Sequence, residues 1–232
     1  MMMKRFDAIA FDLDGTLIDS AGGIAHALNA ALADEGLPGF AFETVRAWIG
    51  DGPDALIARA LAIGELADVD TYELAARLRQ GFDAAMLHAP MTGSAVFNGI
   101  HDTVAELALL RPLVVITNKP TPLARAVLQA AGLLPFFEAV HGADTPPQRK
   151  PSPLLLRQAA SGIGVALHRL LMVGDAAIDI AAALAAGSPA AWAGWGYGHA
   201  PAQTPAEIWR LATPQELLRR LAMPVGADTT EH

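Results

Sequence analysis

The chain has 232 residues, 53% of them apolar, enough for a substantial buried core, and 24 acidic against 16 basic residues give a formal charge of −8. With no Lys/Arg stripe to release counterions, that balance argues against a nucleic-acid partner, and the absence of cysteine excludes disulfides and thiolate metal sites. Only a short apolar run follows Met1-Met2-Met3-Lys4-Arg5 before Asp12, and Ile178–Ala191 is broken by Gly187-Ser188-Pro189, so neither a signal peptide nor a membrane span is expected; a soluble cytoplasmic protein is.

The first element is an apolar run, Phe6–Phe11, that reads as a strand and ends on Asp12, with Gly15 and Thr16 turning the chain away. Asp12 and Asp14 stand one residue apart at that strand end. Two such carboxylates can hold a divalent cation and divide nucleophile and acid/base roles, although Asp and Gly are also ordinary turn residues. Between about Ala21 and Pro90 the pattern is helical throughout. Ile24, Ala27, Leu28, Ala31 and Leu32 follow one helical face, Gly36-Leu37-Pro38 stops it, and further helices are predicted over Glu43–Trp48, Pro53–Ile63 and Thr71–Leu87. An insert of about 70 residues is longer than one crossover connection needs, so a lid is predicted rather than a layer on the sheet. The predicted division is residues 1–20 and 91–224 as an α/β core, 21–90 as the helical insert and 225–232 as a flexible tail.

Beyond the insert the α/β pattern resumes. The strand Pro112–Thr117 ends in Thr117-Asn118, whose hydroxyl and nearby backbone N–H groups suit phosphate oxygens, although Thr-Asn also caps helices. A weaker strand covers Ala139–His141. Lys150 follows in Arg149-Lys150-Pro151; the chain has only three lysines against thirteen arginines, so a lysine kept here suggests a need for a compact point charge. Leu170–Gly174 is a fourth strand, followed by Asp175 and, one helical turn on, Asp179; Ala190–Ala193 is a fifth. Each segment has an innocent reading alone. Together they place carboxylates, a hydroxyl, an amide and one ammonium at one edge of a parallel sheet, the inventory phosphoryl transfer needs.

These residues resemble the haloacid dehalogenase superfamily of phosphatases, whose four motifs match Asp12-Leu13-Asp14-Gly15-Thr16, Thr117-Asn118, Lys150-Pro151 and Gly174-Asp175 with Asp179. The resemblance implies an α/β fold, a Rossmann-like doubly wound parallel sheet with the all-α insert as a cap of the C1 type. It implies Mg²⁺ held by Asp12, the Asp14 backbone carbonyl and Asp175, with Asp179 as a further partner, and phosphate held by Thr117, Asn118 and Lys150. Asp12 is expected to attack phosphorus and form an aspartyl-phosphate while Asp14 serves as acid and then base.

Within the superfamily the chain is similar to phosphoglycolate phosphatases through Asp14–Ser20, Trp48–Gly52, Thr117–Pro120 and Gly194–Gly198. It departs from them at Gly22-Gly23, at Ala176 and at Phe97-Asn98-Gly99. A small phosphorylated metabolite, 2-phosphoglycolate first, is the expected partner. Arg46, Gly50, Gly52 and Lys119 are the candidates to recognise its second anionic group. Trp48 is expected to pack within the insert, and Trp195 and Tyr197 at the core edge. Other small phosphate monoesters, pyrophosphate, a β-phosphoglucomutase-like mutase and a non-catalytic phosphate-binding module stay open at this point, as does monomer against homodimer. A phosphonate hydrolase is disfavoured, since no lysine lies between Lys4 and Lys119.

Overall fold

The structure, a computed structural model, describes residues 6–63, 71–198 and 207–222; the tail predicted over 225–232 lies outside them. It opens with β1 (Ala8–Phe11) and a two-residue β2 (Ile18–Asp19), followed by α1 (Ala21–Asp34), α2 (Phe42–Arg46), α3 (Pro53–Ile63), α4 (Thr71–His88) and β3 (Ala95–Val96). An alternating series follows: α5 (Ile100–Ala108), β4 (Leu113–Thr117), α6 (Thr121–Ala130), β5 (Ala139–Gly142), α7 (Leu154–Gly162), β6 (Leu170–Gly174), α8 (Ala177–Ala186), β7 (Ala190–Ala193), β8 (Trp209–Leu211) and α9 (Pro214–Ala222).

Six strands form one parallel sheet in the order β5-β4-β1-β6-β7-β8. Its central strands β1, β4 and β6 are buried throughout and read as apolar runs because both their faces are covered. Ile9, Phe11, Leu113, Val115, Leu171 and Val173 face one cluster with Val104 of α5, Leu123 and Val127 of α6 and Leu217 of α9. Their neighbours Ala8, Ala10, Val114, Ile116, Leu170 and Met172 face the other, with Leu155 and Leu156 of α7 and Ile180 and Ala183 of α8. This two-sided alternation makes the sheet doubly wound, as the strand–helix rhythm predicts.

Strand β1 begins later than the predicted Phe6, which instead packs edge-on against Trp209 with ring centroids 5.5 Å apart. The predicted helix over Glu43–Trp48 is a five-residue helix ending at Arg46. β2, β3 and β8 are absent from the sequence reading, since two or three residues carry no measurable alternation.

The four helices between β2 and β3 share the first cluster through Leu28, Leu32, Val45, Leu56, Leu78 and Phe82, so their core is continuous with one face of the sheet. β2 and β3 pair antiparallel, Ile18 beside Val96, and bring the two crossings of the chain together. Gly22 and Gly23 sit where α1 meets the returning chain, so close to Gly93, Thr92 and Ser94 that a Cβ at either position would collide with them. Close backbone approach thus gives a packing reason for this departure from the family pattern. Among the described residues no helix is long and apolar enough to cross a membrane.

Candidate active site

The carboxyl ends of β1, β4 and β6 come level because the strands run in register, Phe11 beside Val115 and Val173. Asp12 follows β1 directly, its N–H donating to the Val173 carbonyl at 2.9 Å. From the loop before α7, Lys150 reaches in and spends all three ammonium protons, on Asp12 Oδ1 (2.6 Å), Asp179 Oδ1 (2.6 Å) and the Ile116 carbonyl (3.2 Å). Asp179, fully buried in the first turn of α8, also accepts the Ala176 N–H at 3.0 Å. One of its oxygens therefore caps the helix while the other anchors the lysine.

Asp12, Asp175 and Asp179 bring carboxylate oxygens within 4.8 Å of one another. One ammonium faces three carboxylates in a buried site, and the titration behaviour follows from that imbalance. Burial, then the charge of Asp179, pushes the Asp12 carboxyl well above its usual range. The same two causes push Asp175 up to about 6. For Lys150 burial acts to lower the pKa, but Asp12 and Asp179 outweigh it and the ammonium is held more firmly than usual.

Asp175 is fixed from several directions. Thr16 Oγ1 donates to its Oδ1 (3.1 Å), the Gly198 N–H to its Oδ2 (2.8 Å), and the Trp192 indole N–H to its backbone carbonyl (2.7 Å). The Trp195 indole in turn donates to the Thr16 carbonyl at 2.9 Å. The loop after β7 therefore serves the site, a role the sequence reading did not assign; its position after a parallel strand, at the same sheet edge, was the available signal. Gly15 has φ of +91°, and a Cβ there would fall inside the Asp175 carboxylate. Gly15→Ala is accordingly expected to cut kcat at least about 100-fold by displacing Asp175 and to destabilise the fold by about 1–3 kcal/mol, as steady-state rates and melting curves would register.

Asp14 stands apart from the acidic cluster. Both its oxygens accept from Lys119 Nζ, at 2.8 and 2.9 Å. Thr117 Oγ1 accepts the Lys119 N–H (3.1 Å), which leaves the hydroxyl proton free to donate. Asn118 links the end of β4 to the turn before α3 and to the loop before α7: its amide NH₂ donates to the Gly50 carbonyl (2.8 Å) and its Oδ1 accepts the Lys150 N–H (2.7 Å). Asp54 of α3 makes a second link, pairing with both Arg149 and Arg79. Between them lies a cavity of about 40 Å³ lined by Asp12, Asp14, Thr117, Asn118 and Lys119, by the Gly50 and Gly52 turn, and by apolar side chains from α1, α3, α4 and α6.

The residues singled out in the sequence thus fall into two adjoining groups. Asp12, Lys150, Asp175 and Asp179 form the charged centre, and Asp14, Thr117, Asn118, Lys119, Gly50 and Gly52 line the cavity beside it. Arg46 is not among the lining residues: it lies 3.7 Å from Glu43 and stacks over the Tyr197 ring. Trp48 does both things, packing edge-on against Phe40 at 5.0 Å and lining the cavity. Tyr197 hydrogen-bonds Ser20 at 3.1 Å.

Fold and site together define a doubly wound α/β enzyme with an acidic and ammonium centre at the carboxyl edge of its sheet. The family model described as haloacid dehalogenase-like hydrolase matches residues 6–187. The chain is 40% identical over 199 residues, 85% of its length and 84% of the relative's, to a phosphoglycolate phosphatase of Photorhabdus laumondii. It is 41% identical over 197 residues, covering 84% and 82%, to a phosphoglycolate phosphatase of Caulobacter vibrioides. Among solved structures, a predicted phosphoglycolate phosphatase from Haemophilus somnus 129pt matches with a TM-score of 0.83 at 30% identity, over 94% of this chain and 99% of that one. The chain belongs to the haloacid dehalogenase-like hydrolases, and within them it is a phosphoric monoester hydrolase.

Proposed function

We propose that the protein hydrolyses a small phosphate monoester, 2-phosphoglycolate foremost, through an aspartyl-phosphate on Asp12, with Mg²⁺ as cofactor and the helices of residues 21–90 acting as a cap over the core. The observation that carries this reading is the position of Asp12: held at 2.6 Å by Lys150, beside Asp175 and Asp179, and at the wall of a small cavity it shares with Asp14. The relatives named above support the choice of ester.

The donor set fits a hard divalent cation, since it is all oxygen and carries negative charge that Lys150 alone leaves uncompensated. Asp12 and Asp175 would hold the ion, with the Asp14 carbonyl and with Asp179 as a further partner that also fixes Lys150. When bound, the ion supplies charge neutralisation between the carboxylates and the incoming phosphate. Asp12 then forms a bond to phosphorus as the ester P–O bond breaks. Asp14 gives the departing oxygen a proton and later removes one from the water that releases phosphate and restores Asp12. Thr117 donates its hydroxyl proton to a phosphate oxygen, Asn118 holds the Gly50 turn against the site, and Lys150 keeps Asp12 aimed. A cavity of about 40 Å³ suits a compact leaving group, since one water needs about 10–15 Å³ of such space.

Phosphate release from a panel of small esters tests the reading. 2-Phosphoglycolate is expected to lead the panel with Mg²⁺ and to fall to background in EDTA, and equal turnover in EDTA would refute it. A pH arm follows from Asp175. Its folded pKa, about 6, lies above the ordinary 3.8, so the metal-free fold loses stability as pH rises between those values, while protons compete with a cation below them. The rise in melting temperature on adding Mg²⁺ is therefore expected to be small at pH 5 and several degrees at pH 7.5. A rise that shrinks with pH would contradict the assignment.

A further inference from the structure

The contacts of the loop after β7 converge on Asp175. The Trp195 indole donates to the Thr16 carbonyl (2.9 Å), Thr16 Oγ1 donates to Asp175 Oδ1 (3.1 Å), and the Gly198 N–H donates to Asp175 Oδ2 (2.8 Å). Neither donor to the carboxylate is charged, so both oxygens are fixed while their negative charge stays available to a cation. The loop lies tight against the site: a Cβ on Gly196 would collide with the Gly15 carbonyl and the Asp175 side chain, and one on Gly198 with the Asp175 backbone. Tyr197 stands between these two glycines, and the peptide it shares with Gly198 carries the N–H that Asp175 accepts. Its side chain is tied at two points away from the carboxylates. The hydroxyl hydrogen-bonds Ser20, the residue before α1, at 3.1 Å, and the Arg46 guanidinium at the end of α2 lies 5.8 Å from the ring centroid.

We infer that the loop Gly194–Gly198 sets how tightly the site holds its divalent cation, with Trp195 and Tyr197 as positioning residues, and that Arg46 on Tyr197 makes this affinity depend on the seating of α2. The inference rests on the cofactor reading above and extends it to side chains that bind no ion themselves. A carboxylate already held in place has little freedom to lose when a cation arrives, and partners that orient metal ligands commonly carry about 10–100-fold of the affinity. The coupling is reciprocal: whatever α2 adds to the hold on the ion, the ion adds to the hold on α2. A loaded metal centre thereby favours the seated position of the helices proposed as the cap. Arg46 separates this from plain electrostatics. A guanidinium near an anionic centre repels a cation, so removing its charge would by itself tighten the ion; if Arg46 acts by seating Tyr197, removing it loosens the ion.

Calorimetric titration of Mg²⁺ into the protein at pH 7.5 tests this without turnover. Trp195→Phe, which loses the indole N–H and keeps a ring, and Tyr197→Leu are each expected to raise the Kd for Mg²⁺ about tenfold. Arg46→Met is expected to raise it about threefold, and to add nothing once Tyr197→Leu is present. Melting curves in EDTA show whether each variant folds; should Tyr197→Leu not fold, Trp195→Phe and the sign of the change in Arg46→Met decide the matter. An unchanged or tighter Kd in Arg46→Met overturns the part given to α2. Values within about twofold of the unaltered protein's in Trp195→Phe and Tyr197→Leu overturn the whole inference and leave the cofactor reading standing. An unaltered protein that takes up no Mg²⁺ would bring down the cofactor reading and this inference with it.

Discussion

Asp12→Asn is expected to lower kcat at least about 10⁴-fold and, in the same protein, to raise the melting temperature measured in EDTA. The first effect follows from removing the attacking oxygen. The second follows from the charge imbalance around Lys150, where burial and Asp179 already push the Asp12 carboxyl up. An acid whose pKa rises on folding costs the fold stability at pH values above its folded pKa, and the cost fades as pH falls through that value. Asparagine removes the charge and can still accept from Lys150. A gain of about 1–2 kcal/mol at neutral pH, a few degrees for a chain of this size, is the expected scale. Mg²⁺ should stabilise the variant less than the unaltered protein, since one of its oxygen ligands has lost its charge. Phosphate release and melting curves at pH 7.5, with and without EDTA, check all three. Residual activity above about 1% of the unaltered enzyme's would place the nucleophile elsewhere.

The part of this site legible in the sequence is the part carried by charged side chains at the ends of apolar runs. Asp12, Asp14 and Asp175, with Asp179 one helical turn on, were readable because carboxylates just past a buried strand stand out against the apolar residues before them and a parallel sheet brings such ends together, and Lys150 because lysine is scarce in a chain that otherwise uses arginine. The sheet was readable for the same reason: β4 and β6 are wholly buried, so their residues are continuously apolar. The contacts made by backbone were not readable. Nothing in Gly198 announces an N–H aimed at Asp175, and nothing in Gly50 announces a carbonyl that accepts from Asn118. Charge partners across long separations were hidden too. Arg46 looked as suitable as Lys119 for a substrate anion, and only the fold shows that one rests on Tyr197 while the other is buried against Asp14. The pair Asp54 and Arg149 joins residues far apart in the chain, a relation no local pattern encodes.

Lys150→Met is expected to be the most damaging single change to the fold. It removes the hub that three oxygens share and leaves Asp12 and Asp179 facing each other and Asp175 without a cation. Breaking one buried ion pair by removing a partner costs about 3–5 kcal/mol, and this lysine serves two carboxylates. Its own linkage adds nothing to recover at neutral pH. A lysine whose pKa rises on folding gives its full stabilisation below the unfolded value of 10.5, so the variant loses all of that contribution across the working range. The exposed imbalance should appear as a changed pH response. With Lys150 gone, the Asp12 and Asp175 carboxyls are pushed further up, and the variant should gain stability as the pH is lowered from 8 to 5 while these two acids take up protons. Adding Asp179→Asn to Lys150→Met should recover part of the loss, because asparagine can still accept the Ala176 N–H through its side-chain oxygen. Activity should stay at least about 10³-fold down in both, since Asp12 has lost the contact that aims it. If the single variant melted within a degree or two of the unaltered protein at every pH, with the double variant no better, the ammonium would not be what holds these carboxylates together. The assignment of Asp12 as a nucleophile poised by its neighbours would then lose its physical basis.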